Sequence, residues 1–382
     1  MIPLAVPNLT GNERKYLNEC IDTTFVSSVG EFVNRLEADA TSLTGATSAV
    51  ATSAGTTALH ASLITLGVRP GDYVIVPSFT FIASANAVCH AGAIPWLFDI
   101  DPTSWCIDLD QVELELEENC HMLNGVTFHR ASGRRVSALM PVYTLGNMPN
   151  MDAARRICDT WNLSLLADAA CAIGATFRGR RLAELADLSA ISLNGNKTIT
   201  AGGGGLVIGT NDKLLAEVRH LTTTARVWPD YDFDRVGYNY RLTNLQAAVA
   251  VAQLERLDEF VVRKRAIRVA YDNAFQEVEG LTTFPVPEWC ESSCWFSGIV
   301  LDDANETQPV VEALNARGVG AKSFWKPVHL QAPYIANERS SSLAVSEGLW
   351  DRVITLPCST GITDKEIEEV IATTKDVLMN VG

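Results

Sequence analysis

Leu163-Ser-Leu-Leu-Ala-Asp168-Ala-Ala-Cys171 and, a little further on, Ser189-Ala-Ile-Ser192-Leu-Asn-Gly-Asn-Lys197-Thr-Ile-Thr-Ala-Gly202-Gly-Gly-Gly205-Leu-Val-Ile208 set the frame for the rest of this chain. Leu163, Leu165, Leu166 and Ala167 form an apolar run that ends on an acid, the pattern of a buried strand reaching a crevice. Ser189–Leu193 is a second short run, and it opens into a polar turn carrying one lysine. Four glycines then permit a tight reversal of the backbone before a third run, Leu206-Val-Ile208. An acid at the carboxyl end of one strand and a lysine just past another meet in the crevice where open α/β sheets hold ligands. The spacing leaves room for a crossover between the two strands. The pair suits pyridoxal phosphate (PLP): the lysine amine condenses with the aldehyde as a Schiff base, and the carboxylate keeps the pyridine nitrogen protonated. On these residues alone, Asp168 as a helix cap and Lys197 as a solvated loop residue stay open.

The surrounding composition narrows the class. At 382 residues, 47% hydrophobic and 20% charged, the chain has the length of two domains and the make-up of an ordinary globular protein. A net charge of −15 argues against non-specific nucleic-acid binding, which needs a basic footprint. Nine cysteines, odd in number and without a Cys-x-x-Cys pair, point to reduced thiols, with no disulfide framework and no metal site. Met1-Ile-Pro-Leu-Ala-Val-Pro lacks the form of a signal peptide, and no apolar run reaches membrane-spanning length. The expectation is a soluble, cytoplasmic protein.

Outward from the central stretch, strands and helices alternate. Residues 12–22 and 30–44 read as amphipathic helices around the serine-containing loop Thr23–Gly30. Ala49–Ser53 reads as a strand, followed by Ala54-Gly-Thr56-Thr57 and an apolar helix to Leu66 that Gly67 ends. Strand, small turn and helix make an anion site, with backbone N–H groups and the hydroxyls of Thr56 and Thr57 available to a phosphate; the alternative is that a threonine there only caps the helix. Tyr73–Pro77 is a strand ending at Ser78-Phe-Thr-Phe81. Ala83–His90 is a helix, Ile94–Asp99 a strand, 110–118 an acidic helix, 119–135 a surface excursion, Val136–Val142 a strand and Ala153–Trp161 a helix. Repeated units of this kind predict a mostly parallel, right-handed sheet with helices on both faces. Beyond a helix at 211–220, Gly237-Tyr-Asn239-Tyr-Arg241-Leu-Thr243 leads into one long helix towards Val278, started by a Thr243/Gln246 capping box. That helix bridges two domains, 1–255 with an amino-terminal arm and 256–382. From Leu281 the pattern changes to shorter strands, with helices at 307–317 and 363–379, and Phe324-Trp325-Lys326-Pro-Val-His329 between them.

Taken together, Ala54-Gly-Thr-Thr-Ala-Leu-His60, Pro70-Gly-Asp72, Pro77-Ser-Phe-Thr-Phe81, Asp168-Ala-Ala170, Lys197 with its glycines, Gly237–Arg241 and Gln246–Leu257 closely resemble the DegT/DnrJ/EryC1/StrS family of PLP sugar aminotransferases, over nearly the whole chain. The resemblance implies an aspartate-aminotransferase-like α/β fold (PLP fold type I) and a homodimer with shared active sites. It implies Lys197 as the Schiff-base lysine and Asp168 as the pyridinium partner. Phe81 would stack on the ring, Thr56, Thr57 and Ser192 would hold the phosphate, and Asn239 and Arg241 would reach the neighbouring subunit's site. Cys171 stands near the cofactor's ring hydroxyl, where the family often has Gln or Glu, and Tyr143-Thr-Leu-Gly146 replaces the usual His-Leu-Tyr-Gly. Val26-Ser27-Ser-Val-Gly30, the Ser192–Gly205 loop and Trp325-Lys326-Pro-Val-His329-Leu-Gln331 are similar to the branch acting on UDP-4-keto-6-deoxy-N-acetylglucosamine, of the legionaminic acid and bacillosamine pathways. Ser27, Trp325, Lys326 and His329 are then the candidate substrate contacts, and L-glutamate the amino donor, leaving as 2-oxoglutarate. A dTDP- or GDP-linked keto sugar, or a catalytically silent ligand-binding relative, is the alternative.

Overall fold

In a computed structural model of the chain, which describes residues 1–227 and 231–381, the central stretch forms the middle of a seven-stranded sheet. Its strands are β1 (Ser48–Thr52), β2 (Tyr73–Pro77), β3 (Ile94–Phe98), β4 (Val136–Leu139), β5 (Ser164–Asp168), β6 (Leu188–Ser192) and β7 (Gly205–Gly209). Their order across the sheet is β1-β7-β6-β5-β4-β2-β3. The four pairings from β6 across to β3 are parallel, whereas β7 runs antiparallel to both β6 and β1. The reversal is made by the glycine run. Gly202 and Gly204 take φ of +76° and +128°, which side chains with a Cβ avoid, and Leu193 N–H then bonds back to the Gly204 carbonyl. Burial on both faces explains why β5 and β6 read as continuous apolar runs.

Helices cover both faces. α1 (Glu13–Asp22), α2 (Glu31–Thr44), α6 (Met151–Trp161) and α8 (Asn244–Leu254) enclose one large apolar core. α3 (Gly55–Thr65), α4 (Ala83–His90) and α7 (Asp212–Thr222) enclose a second on the opposite face. α5 (Leu109–Asn119) precedes the 119–135 segment, where a hairpin, Cys120–Leu123 against Val126–His129, replaces the irregular excursion expected there. Its alternating burial, with Thr127 and His129 inside, anchors it to the body.

The predicted long helix is two helices. α8 stops at Leu254 and α9 (Leu257–Phe275) starts anew, with Arg256 at φ −116°, ψ 13°. Side-chain bonds fix the break. Glu255 accepts from Asn12, Tyr16 and Arg35, while Arg256 donates to Thr10, Asn8 and Glu259. Past α9 a four-stranded sheet follows, with Leu281–Thr283, β8 (Ser297–Leu301), Val353–Leu356 and Lys322–Ser323 in that order, packed with α10 (Ala304–Ala316) and α11 (Asp364–Val381) around a third core. The amino-terminal residues join this second sheet's side of the molecule. Ile2 N–H bonds to Gly318 and Gly320 N–H to Ile2, Cys358 N–H bonds to Leu4, and Val6 N–H to Ser359 Oγ.

Candidate active site

Asp168 is the last residue of β5 and is 3% exposed. Its Oδ2 accepts from Ser84 Oγ at 2.7 Å and its Oδ1 from Ala170 N–H at 3.1 Å. Ser84 sits in the first turn of α4, so the loop after β2 brings it to the acid at the end of β5. Burial raises the Asp168 carboxyl above its ordinary range. The bonds from Ser84 and Ala170 and the charge of Lys197 act in the opposite direction.

Lys197 closes a polar turn after β6, its N–H bonded to Asn194 O at 3.0 Å. Its Nζ donates to Cys171 Sγ at 3.1 Å and stands 3.7 Å from the centre of the Trp295 ring. Trp295 Nε1 in turn donates to Asn196 O at 2.7 Å. Burial pushes the Cys171 thiol up, against the pull of Lys197. A buried thiol held neutral beside the lysine is a weak hydrogen-bonding partner, not a counter-charge.

Both residues line a cavity of about 800 Å³. At one end lies the start of α3, where Ala54 occupies the N-cap with no side-chain oxygen to offer. The first-turn amides of Gly55 and Thr56 therefore face an anion site supplied by the helix itself. Ser192 closes that end, and a Cβ at Gly55 would lie 2.9 Å from the Ser192 Cβ, so the helix start and β6 meet only because residue 55 is glycine. Thr56 lines the cavity. Thr57 does not, because its hydroxyl is tied to the Ala54 backbone, donating to O at 2.8 Å and accepting from N–H at 3.0 Å. Phe81 lines the cavity yet is 56% exposed, an aromatic face left open on the cavity wall. An anion-binding helix start, a buried carboxylate, a lysine and an open aromatic face fit PLP. When bound, the cofactor supplies an aldehyde to carry the amino group and a ring that accepts electrons. Lys197 would hold its aldehyde carbon, Asp168 its ring nitrogen, and Thr56 and Ser192 its phosphate.

The remaining sequence candidates separate. Trp325 and Lys326 line the cavity, as do Cys171 and Ser192. Ser27 is off it and exposed, with its carbonyl accepting from Asn244 N–H. Asn239 is also exposed and off its own chain's cavity. Arg241, expected to reach the neighbouring subunit's site, is tied within its own chain. Its guanidinium is buried, bonded to Glu37 Oε1 at 2.7 Å and Ala51 O at 2.9 Å, which leaves it engaged inside its own chain. His329 needs correcting as a substrate contact. It is 3% exposed, with Nδ1 2.6 Å from Ser78 Oγ and Nε2 3.1 Å from Glu347, and burial holds the imidazole below its usual range. Four residues that the sequence did not single out belong to the site: Ser84 behind Asp168, Trp295 over Lys197, and Leu4 and Ala5 on the cavity wall.

With this geometry in hand, the family comparison decides the class: the DegT/DnrJ/EryC1/StrS aminotransferase family matches residues 7–375. The chain belongs to this family. It is 36% identical over 386 residues to the GDP-perosamine synthase of Caulobacter vibrioides, covering 99% of this chain and 98% of that one. It is 34% identical to the GDP-perosamine synthase of Vibrio cholerae, covering 97% of each. Among solved structures, the aminotransferase TlmJ from Streptoalloteichus hindustanus matches with a TM-score of 0.89 at 27% identity, over 100% of both chains. The fold is that of a type I PLP enzyme, and the protein is a PLP-dependent nucleotide-sugar aminotransferase. No helix among the described residues is long and apolar enough to cross a membrane, and no cluster of His, Cys, Asp and Glu there could hold a metal ion.

Proposed function

We propose that this enzyme transfers the amino group of L-glutamate to C4 of a GDP-linked 4-keto-6-deoxy sugar, releasing 2-oxoglutarate. The observation that carries the nucleotide is full-length similarity, at 36%, 34% and 32% identity, to three GDP-perosamine synthases. The UDP-linked alternative rests on the resemblance of the Val26–Gly30, Ser192–Gly205 and Trp325–Gln331 loops. In the reaction, Lys197 moves the proton between the cofactor's C4′ and the sugar's C4, from a Nζ facing the cavity. Asp168, held by Ser84, keeps positive charge on the ring nitrogen. Thr56, Ser192 and the α3 amides hold the phosphate, Phe81 covers the ring face, and Trp325 and Lys326 face the sugar nucleotide. Residues 1–255 form the cofactor domain and 256–382 the smaller domain, with residues 2–6 attached to the latter. The working form is a homodimer in which Asn239 reaches the partner's site. Nine free cysteines favour the reducing cytoplasm as its location.

The test offers GDP-, UDP- and dTDP-4-keto-6-deoxy sugars with glutamate and identifies products by mass and NMR. The GDP sugar is expected to be aminated at C4 with the highest kcat/KM. A preference for the UDP sugar, or amination at another carbon, would refute this assignment.

A further inference from the structure

We propose that Trp295 is a positioning residue whose indole face carries the Lys197 ammonium whenever that lysine is not bonded to the cofactor. The proposal rests on Lys197 being the cofactor-bearing lysine. A lysine that alternates between a covalent bond and a free amine needs a defined place for its charge in the second state. The cavity offers little. Asp168 is the one carboxylate on the described cavity wall, and it is committed to Ser84 and Ala170. Cys171, 3.1 Å from Nζ, is a buried thiol that does not supply a negative charge. The indole ring, at 3.7 Å from Nζ, does offer charge stabilisation. Its π face attracts an ammonium, most strongly where water is excluded, and Trp is the best of the aromatic residues at this.

The ring is also fixed with unusual completeness. Nε1 donates to Asn196 O, the residue before Lys197, so one side chain holds both the lysine's backbone turn and its amine. Trp295 N–H bonds to Leu145 O at 2.9 Å, at a residue whose φ of +61° only a well-determined surrounding sustains. Trp295 O accepts from Nζ of the buried Lys264 at 2.9 Å, and the ring packs edge-on to Phe296 with centroids 4.3 Å apart. Trp295 stands two residues before β8, so it comes from the second sheet to meet a lysine carried by the first. The amine is thereby parked on an element that belongs to the other half of the cavity.

The experiment uses apoprotein labelled with [ε-¹³C]lysine, together with Trp295→Phe and Trp295→Leu. The Lys197 signal is the one absent from Lys197→Ala. The indole ring current is expected to shift it upfield in the parent protein, to leave it partly shifted in the Phe variant and to release it in the Leu variant. In the reconstituted enzymes, Trp295→Leu is expected to lower kcat about tenfold with KM and cofactor affinity unchanged, and Trp295→Phe to restore most of it. Trp295→Met stands in for Leu if that variant does not fold. An unshifted Lys197 signal in the parent, or a shift that survives in the Leu variant, would overturn the proposal. So would a Phe variant as slow as Leu, because the Asn196 bond and not the ring face would then be what matters. Borohydride trapping separates the two layers. Reduction onto a different lysine overturns the role of Lys197 and this proposal with it, whereas reduction onto Lys197 with no release in Trp295→Leu overturns this proposal alone.

Discussion

Asp168 places a charge where water does not reach, and the consequence is a conflict between stability and chemistry at a single residue. Its native carboxyl titrates above the ordinary Asp range because of burial. Between the ordinary and the raised values the native state binds more proton than the unfolded chain, so apoprotein stability falls as pH rises through that window and the full cost is present above it. Asp168→Asn removes the charge while Oδ1 still accepts from Ala170 N–H and the Ser84 hydroxyl can turn to accept from the amide. The apo variant is therefore expected to melt above the parent at neutral pH, with the gap closing in acid. Its turnover with cofactor is expected to fall about 10³-fold, because the positive charge on the ring nitrogen is lost. Calorimetry of both apoproteins across pH checks the first half, and an apo variant that melts below the parent at pH 7 would disprove it. Asp168 and Lys197 stood out in the sequence because one ends an apolar run and the other lies in the polar turn after the next run, a purely local pattern. Ser84 and Trp295 did not, since Ser84 lies 84 residues from Asp168 and Trp295 lies 99 from Asn196, and neither carries a local mark of its task.

At the scale of elements, Glu37 on α2 ties three pieces together. It pairs with Arg241 and with Arg219 on α7, and its Oε1 accepts from Ala51 N–H on β1. The family resemblance carried Arg241 to the neighbouring subunit's site because its segment, Gly237–Arg241, matches the family's motif. Side-chain burial against an acid 204 positions earlier is invisible to that logic. The same holds for His329, drawn inward by Ser78, and for the helix break at Glu255–Arg256, whose periodicity gave no warning because the partners lie in residues 8–35. What periodicity did reveal was the order and type of the central strands and helices, where each apolar run is a few residues long and flanked by turn residues. Arg241→Ala is expected to lower Tm, since it strips one partner from a buried acid, at a cost of about 3 kcal/mol moderated by Arg219. Cofactor affinity is expected to stay near that of the parent. Thermal melts and cofactor titration distinguish the outcomes: a large loss of affinity at unchanged Tm would return Arg241 to the neighbouring subunit's site.

For the whole molecule, Phe25, Val26 and Val29 in one loop, and Tyr231, Phe233 and Val236 ahead of Asn239, are exposed apolar residues available to the proposed homodimer. If the sites are shared, Lys197→Ala and Asn239→Ala, each impaired alone, are expected to regain activity when mixed and allowed to exchange subunits. One site of each mixed dimer then has an intact lysine and an intact partner loop. Heterodimers shown by native mass spectrometry to have formed, yet no more active than the separate variants, would exclude sharing. The attachment of residues 2–6 to the second sheet has a consequence for how the protein is made. Leu4 and Ala5 wall the cavity, and the bonds that hold residues 2–6 come from Gly318, Gly320, Cys358 and Ser359, the last of these 353 positions beyond Val6. Residues 2–6 are made well before the groups that hold them, and they lack these bonds until residues 318–359 have followed. The central sheet can assemble during synthesis, while the cavity beside it stays open on one wall until residues 318–359 have been made. Capture of the cofactor in its complete site therefore waits for residues 318–359.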